Sequence, residues 1–186
     1  MTEHRSYHHG DLRKAVTDAA LDVIAESGVG ALSMRDLARR AGVSHAAPAH
    51  HFKDRAGLLT AIAAEGHDLL TAELAAEGEG LAGMGAAYVR FAELHPAHFQ
   101  VMFRPDLVRA DDPELAAARG RSAARLREGV SSLPGGADAE LAGVAAWSMA
   151  HGFASLARSG ALAGVIGDRE QGEVFLRAAQ ELIRAQ

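Results

Sequence analysis

The sequence predicts an all-α protein, and three observations support this fold class. Hydrophobic residues make up 48% of the 186 residues but aromatic residues only 5%, and β-branched residues are sparse beside Ala and Leu, a composition that favours helices over strands. Apolar side chains recur at the spacing of one helical face along most of the chain. Gly and Pro residues separate these segments. The pattern predicts about nine helices.

The first helix is predicted over residues 11–27, because its apolar side chains repeat every three or four residues. Gly28 and Gly30 end it, since Gly accepts the left-handed conformation found just past a helix C-terminus. Ser33 is then typical of a helix N-cap, with Asp36 three residues later in a capping-box pattern. A second helix is therefore predicted over residues 34–40.

The stretch SHAAPAHHF, residues 44–52, is predicted to form a third helix although it contains a proline. Gly42 supplies a turn, Ser44 is a second candidate N-cap, and the helix begins at His45. Pro48 then falls at the fourth helical position and gives up only the first hydrogen bond of the helix. A strict loop is the alternative. Two short helices joined by a glycine turn form a helix-turn-helix, a motif that binds DNA.

The remainder of the chain is also predicted to be helical, with segments at residues 56–74, 85–95, 96–103, 112–131, 138–160 and 169–185. The segment 138–160 is apolar on more of its surface than packing on one neighbour requires. A homodimer formed through the last two helices (138–160 and 169–185) covers this surface and holds two DNA-reading units at a fixed separation. A buried central helix of a monomer is the alternative.

The formal net charge of −5 is unevenly distributed along the chain. Residues 1–55 hold eight Lys and Arg against seven Asp and Glu, together with six of the ten His. Residues 56–186 hold eleven basic against seventeen acidic residues. A partner that carries phosphates is therefore expected to meet the N-terminal segment.

Several other classes of protein are disfavoured by what the sequence lacks. The absence of Cys excludes disulfides, thiolate metal sites and cysteine nucleophiles, and it fits a reducing compartment. Neither a signal peptide nor a membrane span is seen, so a cytoplasmic protein is expected. His95 and His98 form an i, i+3 pair, but no acidic third ligand follows, and neither a metal nor a cofactor is expected. An enzyme is the weaker alternative, because no catalytic motif stands out.

The segments YHHGDLRKA and SMRDLARRAGVSHAAPAHHFKDRAGLL resemble the TetR family of bacterial transcriptional regulators. The C-terminal half resembles one subgroup (WHG-type), in which a Trp is followed one turn later by His-Gly; here Trp147, His151 and Gly152 match, with HPAHFQVMF upstream. The likeness extends over nearly the whole chain. It implies a helix-turn-helix DNA-binding domain at residues 1–55 and a helical effector-binding and dimerisation domain at residues 56–186.

The chain departs from the family pattern at two positions. Ala49 stands where the recognition helix usually has a Tyr that contacts a backbone phosphate. Arg55 stands where a Lys usually begins the next helix. Loss of the Tyr predicts a lower operator affinity, for which Arg55 compensates in part because it keeps the charge.

By this resemblance, the third helix lies in the major groove of DNA. His45, Ala46 and His50 are expected to face base edges, because an Ala can touch a thymine methyl and a His can donate to purine acceptors. The expected phosphate contacts are Ser33, Arg35, Ser44, His51, Lys53 and Arg55. Phe52 is expected to pack in the core. Tyr7, His8 and His9 either form an N-terminal arm along the DNA backbone or are disordered.

A small-molecule effector pocket is expected among the later helices, again by resemblance. Aromatic walls with two polar handles are typical of such a pocket, and the expected residues are Phe91, His95, Phe99, Met102, Phe103, Trp147 and His151. Plain core packing is the alternative for each of them. The predicted function is a ligand-responsive DNA-binding regulator, a repressor that a small molecule releases from a near-palindromic operator. The alternative is a helical interaction module without DNA binding.

Overall fold

The computed structural model describes residues 4–76, 80–131 and 138–184, and over these residues the chain is helical and contains no strand. The all-α prediction is confirmed. Among the same residues, no helix combines the length and the hydropathy needed to cross a membrane. The α-helices are α1 (His4–Ser27), α2 (Met34–Arg40), α3 (Ala47–Phe52), α4 (Arg55–Ala76), α5 (Leu81–Leu94), α6 (Pro96–Met102), α7 (Pro113–Ser131), α8 (Ala139–Arg158), α9 (Ala163–Ile166) and α10 (Gln171–Arg184).

The helices form two compact units. The head unit comprises Met1–Gly66 and Pro96–Ala116, and the body unit comprises His67–His95 and Ala117–Gln186. Helix α4 contributes residues to both units. The domain boundary that the resemblance implies after Arg55 stays a prediction.

The head unit is built around one face of α1. Val16, Ala20 and Ile24 of this helix are fully buried and belong to one core cluster with side chains from α2, α3, α4 and α6. Leu37 and Phe52 are the contributions of the two short helices to that cluster. Each short helix is therefore anchored by an apolar side chain, since a helix of six or seven residues is not stable alone in water.

The body unit is built around α5, which packs against both α8 and α10. Met84, Tyr88 and Phe91 of α5 are almost completely buried. Gly85 lies under the Phe175 ring of α10, and a Cβ at that position would come within 2.4 Å of the ring. The missing side chain thus allows α10 to approach α5 closely. The short helix α9, between α8 and α10, was not predicted from the sequence.

Candidate nucleic-acid interface and ligand cavity

Helix α2 begins where the sequence predicts. The Ser33 side-chain oxygen accepts a hydrogen bond from the Asp36 backbone N–H at 3.4 Å, which satisfies one of the unpaired donors at the helix start. Arg39 donates to the Asp36 carboxylate at 3.0 Å, and this bond, with the Ser33 hydroxyl, lowers the pKa of Asp36. The predicted N-cap at Ser33 is confirmed, and the bounds 34–40 match the predicted ones.

The turn after α2 is also as predicted. Gly42 has φ of +65°, the left-handed conformation that favours Gly. The Val43 backbone N–H donates to the Ala38 carbonyl at 3.0 Å, and the Gly42 N–H donates to the Arg39 carbonyl at 3.3 Å. These bonds close the C-terminus of α2 in the manner of a Schellman motif and fix the direction in which the chain continues to α3.

Helix α3 begins at Ala47, so the predicted start at His45 is wrong. Ser44 is not the N-cap; its carbonyl accepts from the Ala47 N–H at 3.0 Å in a turn, and Ala46 is the N-cap residue. Pro48 consequently lies in the first turn of the helix, where a backbone N–H has no intrahelical acceptor. A start at His45 would have set the proline ring against the Ser44 carbonyl.

The predicted base-reading residues are all exposed. His45, Ala46 and His50 are solvent-accessible, as is Ala49, whereas Ala47, Pro48 and Phe52 are buried. The two sets lie on opposite faces of α3 or just before its start. One face is therefore used for packing, and the other is open to a partner.

His51 and Phe52 lie at the packed end of α3. The His51 ring is half-buried, with its centroid 5.4 Å from that of His50 and 6.4 Å from that of Phe52. The Arg13 guanidinium of α1 stacks 5.6 Å from the Phe52 ring centroid. The core position expected for Phe52 is confirmed by its 4% exposure. Tyr7, His8 and His9 of the proposed arm lie outside the residues whose side chains the structure describes.

Lys53 follows α3 in a conformation that non-glycine residues rarely adopt. Its φ and ψ are 68° and −58°, and the Asp54 N–H donates across it to the Phe52 carbonyl at 2.9 Å. This is a γ-turn of the strained, positive-φ type. The Lys53 side chain is exposed. Strain of this kind is often found where a side chain must be held in one place for function.

Asp54 and Gly57, which the sequence reasoning did not single out, hold this turn in place. The Asp54 carboxylate accepts from the Gly57 N–H at 2.9 Å and from Arg109 at 2.8 Å; the Gly57 N–H is the leading cause of the lowered pKa of Asp54. A Cβ on Gly57 would lie 2.0 Å from the Phe52 carbonyl oxygen. The sequence signal for this arrangement is an Asp directly before a predicted helix, because Asp is a common N-cap residue.

The basic side chains around α2 and α3 differ in how they are used. Arg39 and Arg40 form ion pairs with Asp36 and Glu26. Arg55 is half-buried and its Nη2 donates to the Val29 carbonyl at 2.7 Å, which ties the short 3-10 turn Val29–Ala31 to the start of α4. Arg35 is exposed beside Ser33.

The body unit contains a cavity of about 340 Å³ between α5, α7, α8 and α10. Its wall is made almost wholly of aliphatic and aromatic side chains, including Met84, Val130 and Phe175, together with several glycines. Trp147 and Tyr88 also line it. Trp147 therefore lies at a cavity of ligand size, and its role in binding an effector stays a prediction.

Tyr88 and Trp147, which line the cavity, form a polar cluster with His151 that links α5 to α8. The Tyr88 hydroxyl lies 2.8 Å from the His151 Nδ1 atom and accepts a hydrogen bond from the Trp147 indole N–H at 3.3 Å. Burial raises the pKa of Tyr88 and lowers the pKa of His151, so both groups are held in the neutral form near pH 7. Tyr88 was not predicted, because it is 59 residues from Trp147 in sequence.

The other predicted pocket residues are divided between the two units. Phe91 is fully buried in the body unit, and its ring centroid is 5.3 Å from that of His95. Phe99, Met102 and Phe103 belong to the head unit, where the Phe99 and Phe103 rings meet edge to face at 5.5 Å. The described residues that line the 340 Å³ cavity do not include Phe91, His95 or His151. Their role in binding an effector stays a prediction.

Helix α8 exposes an apolar stripe on the face away from α5. Leu141, Val144 and Leu156 are 67%, 53% and 50% exposed and follow one another at helical spacing. Gly152 lies between them, and a Cβ there would meet no atom within 4 Å. Leu182 of α10 is also exposed.

Two family models match the chain. The model described as "Bacterial regulatory proteins, tetR family" matches residues 16–62, which include α2, the turn and α3. The model described as "Tetracyclin repressor-like, C-terminal domain" matches residues 81–182, which include the cavity and α8.

Three transcriptional regulators are similar in sequence. The HTH-type transcriptional regulator BetI of Klebsiella pneumoniae is 47% identical over 49 residues, which are 26% of this chain and only 25% of BetI. The uncharacterized HTH-type transcriptional regulator Rv0681 of Mycobacterium tuberculosis is 29% identical over 92% of this chain and 82% of its own. The HTH-type transcriptional repressor LfrR of Mycolicibacterium smegmatis is 34% identical over 56% of each chain.

Solved structures share the fold. A protein of unknown function from Rhodococcus sp. RHA1 is 32% identical, with a TM-score of 0.78 over 97% of this chain and 98% of that one. LfrR from Mycobacterium smegmatis in complex with proflavine has a TM-score of 0.64 at 20% identity, over 90% of this chain and 93% of that one.

Proposed function

The chain belongs to the TetR family of bacterial transcriptional regulators, and from this premise we propose that it binds a near-palindromic operator as a homodimer and is released by a small molecule. The observation that carries the proposal is the exposed surface at α3 with His45 and His50, held by α2 and the Gly42 turn on a buried core. This is the arrangement by which a recognition helix is presented to the major groove. Regulators of this family are not enzymes, and this one would act in the cytoplasm, where its operator lies.

His45, Ala46 and His50 are the proposed readers of base edges. All three are exposed, and the two imidazoles can donate to purine acceptors while Ala46 can contact a thymine methyl. Because Ala49 is exposed beside them, the surface has room for a base pair to approach closely.

Phosphate contacts are proposed for residues around this face, namely Ser33, Arg35, Ser44, His51, Lys53 and Arg55. Arg35 and Lys53 are the strongest candidates, because both are exposed and each can bring a full charge to the DNA backbone. Arg55 has a structural hydrogen bond to Val29, so a phosphate contact would use another of its five N–H donors. Ser33 would combine such a contact with its capping of α2.

The proposed dimer uses α8 and α10, as in the sequence-based prediction. The exposed apolar stripe of Leu141, Val144 and Leu156 supports it, since single soluble chains rarely leave such a stripe open. Gly152 in the same stripe would let the partner's helix approach closely. A two-fold symmetric pairing of this face would place two α3 helices to read two half-sites.

Release by an effector is proposed through the body-unit cavity. A ligand that binds the arrangement unable to hold DNA more tightly than the DNA-binding one shifts the population toward release. Repression is the proposed sign of regulation, supported by the relative LfrR, which is named a repressor.

The test is selection of a binding site from random double-stranded DNA with the purified full chain, followed by gel-shift titration at several salt concentrations. A two-fold symmetric site is expected. Arg35→Ala should weaken binding to all sequences about equally and lower the salt slope by roughly one. His45→Ala should instead change which bases are preferred. Arg127→Ala, an exposed position on α7, is the matched control and should bind as the wild type does. Selection of no site at low salt would contradict DNA binding.

A further inference from the structure

We propose that the body-unit cavity takes an uncharged, largely apolar molecule of two or three rings, and that it discriminates against both anions and cations. This proposal rests on the proposed function, because it names the class of effector to which the regulator responds. Three features of the cavity carry it: its lining, its polar cluster and its volume.

The lining contains no charged side chain among the described residues. An ion that enters an apolar site loses its hydration, and without an opposite charge nearby this loss is not compensated. Met84, Val130 and Phe175 supply aliphatic and aromatic contacts instead. The wall therefore favours a molecule whose surface is itself mostly apolar.

The polar atoms at the cavity are already bonded to one another. Tyr88 accepts from Trp147 and is bonded to His151, so these groups join α5 to α8 rather than provide a formal charge for a ligand. A hydroxyl or amine of a neutral ligand can share this network. A carboxylate, sulfonate or fixed cation would find no ion-pair partner in it.

The volume sets the size of the molecule. At about 340 Å³, the cavity is at the lower end of the range for small-molecule sites, which is roughly 300–1,000 Å³. Part of this space exists because Gly143 of α8 has no side chain. A Cβ at Gly143 would make only an ordinary contact, 3.5 Å from the Val130 Cγ2 atom, so backbone packing does not require a glycine here.

The experiment compares three probes on the purified full chain without DNA. N-phenyl-1-naphthylamine is neutral, 8-anilino-1-naphthalenesulfonate adds a negative charge to the same ring skeleton, and proflavine is a cationic tricyclic dye. Trp147 is the only tryptophan of the chain and lines the cavity, so quenching of its fluorescence reports occupancy. The Kd of the neutral probe should be at least tenfold lower than the Kd of either charged probe. Equal or tighter binding of either charged probe would overturn the proposal.

A lining variant locates the site. Gly143→Leu should raise the Kd of the neutral probe at least tenfold, because its side chain occupies the cavity. Ala72→Leu, an exposed position on α4, is the control and should leave the Kd unchanged. Circular dichroism and thermal melting check that each variant folds, and Ala146→Leu, at another lining position on α8, replaces Gly143→Leu if that variant does not. Unchanged neutral-probe binding in a folded lining variant would overturn the proposal.

The alternative occupant is a side chain of a second copy of this chain. In that case the neutral probe would not bind the dimer, and a lining variant would change the oligomeric state measured by light scattering; either result would overturn the proposal. Failure of the proposed function has a different signature. There, no DNA site is selected, although the neutral probe still binds and is still excluded by the lining variants.

Discussion

Helices α3 and α8 each leave one face uncovered, but the two faces have opposite chemistry. The exposed residues at α3 are His45, Ala49 and His50, whereas those on α8 include Leu141 and Val144. A polar face can stay in water until DNA replaces the water, and its binding energy comes largely from charges that salt screens. An apolar face gains free energy by leaving water permanently. Exposure alone therefore does not identify a partner, and the chemistry of the exposed face does.

The largest expected effect comes from a substitution that disturbs the turn after α3. Gly57→Ala places a Cβ 2.0 Å from the Phe52 carbonyl oxygen, so the turn after α3 must move, at an expected cost of about 3 kcal/mol in the free energy of unfolding. Chemical denaturation measures it. Gly120→Ala, on α7 where a Cβ meets nothing within 4 Å, is the control and should stabilise the chain by up to about 1 kcal/mol. Equal stability of the two variants would contradict the close contact.

The second prediction places negative charges on the exposed apolar face of α8. The double variant Leu141→Glu with Val144→Glu should convert the proposed dimer into a monomer. Operator affinity should then fall at least a hundredfold, because two half-sites are no longer read together. Light scattering and gel shifts are the measurements. The control is Ala72→Glu with Ala75→Glu, two exposed positions at the same spacing on α4. A dimer that survives the α8 substitutions would place the interface elsewhere.

The histidines sharpen the comparison, since His45 is exposed while His67 is 7% exposed and lies 3.0 Å from the Ser122 hydroxyl. Burial lowers the pKa of His67 from 6.5 to about 4. Between these values the unfolded chain binds the proton more readily, so stability is complete above pH 6.5 and is lost as the pH falls toward 4.

The corresponding variant is His67→Gln, compared with wild type by urea denaturation at pH 7.5 and pH 5. Between pH 7.5 and pH 5, the free energy of unfolding should fall less in this variant than in wild type, by roughly 1–2 kcal/mol. Parallel pH profiles for His67→Gln and wild type would show that His67 does not titrate in this way.

The smallest expected effect concerns Lys53, where two variants distinguish backbone strain from a contribution to DNA binding. Lys53→Gly should relieve the positive φ and stabilise the chain by about 1 kcal/mol, while operator affinity falls severalfold and the salt slope drops by roughly one. Lys53→Ala should show the same loss of DNA affinity without the gain in stability. Wild-type operator affinity in both variants would remove Lys53 from the contact set.

What the sequence could predict depends on how far apart the interacting residues are. Ser33 and Asp36 are three residues apart, and both the cap and the bounds of α2 were predicted correctly. A start of α3 at His45 follows from Ser44 as an N-cap, but the chain first makes a turn in which the Ala47 N–H donates to the Ser44 carbonyl. The bond between Arg55 and Val29 spans 26 residues, and helical periodicity carries no information at that distance.

The ligand cavity shows the same limit. Trp147 is an expected effector-pocket residue and lies at the cavity, although its binding role is untested. The bond from Trp147 to Tyr88 and the close contact of Gly85 with Phe175 depend on how α5, α8 and α10 pack. Phe99 and Phe103 are expected at a pocket wall by resemblance; their rings pack on each other in the head unit, and their contact with an effector stays a prediction. A stripe of aromatic residues identifies a buried face without telling what it is buried against.

The separation of buried and exposed residues at α3 affects which substitutions the helix can accept. Ala47, Pro48 and Phe52 anchor the helix, while Ala46 and Ala49 are exposed and small. Larger side chains at the two exposed alanines would reach outward without disturbing the core, and surface changes of this kind usually alter stability by less than about 0.5 kcal/mol. If this face reads DNA as proposed, one or two substitutions at these alanines would change the preferred operator without a loss of stability.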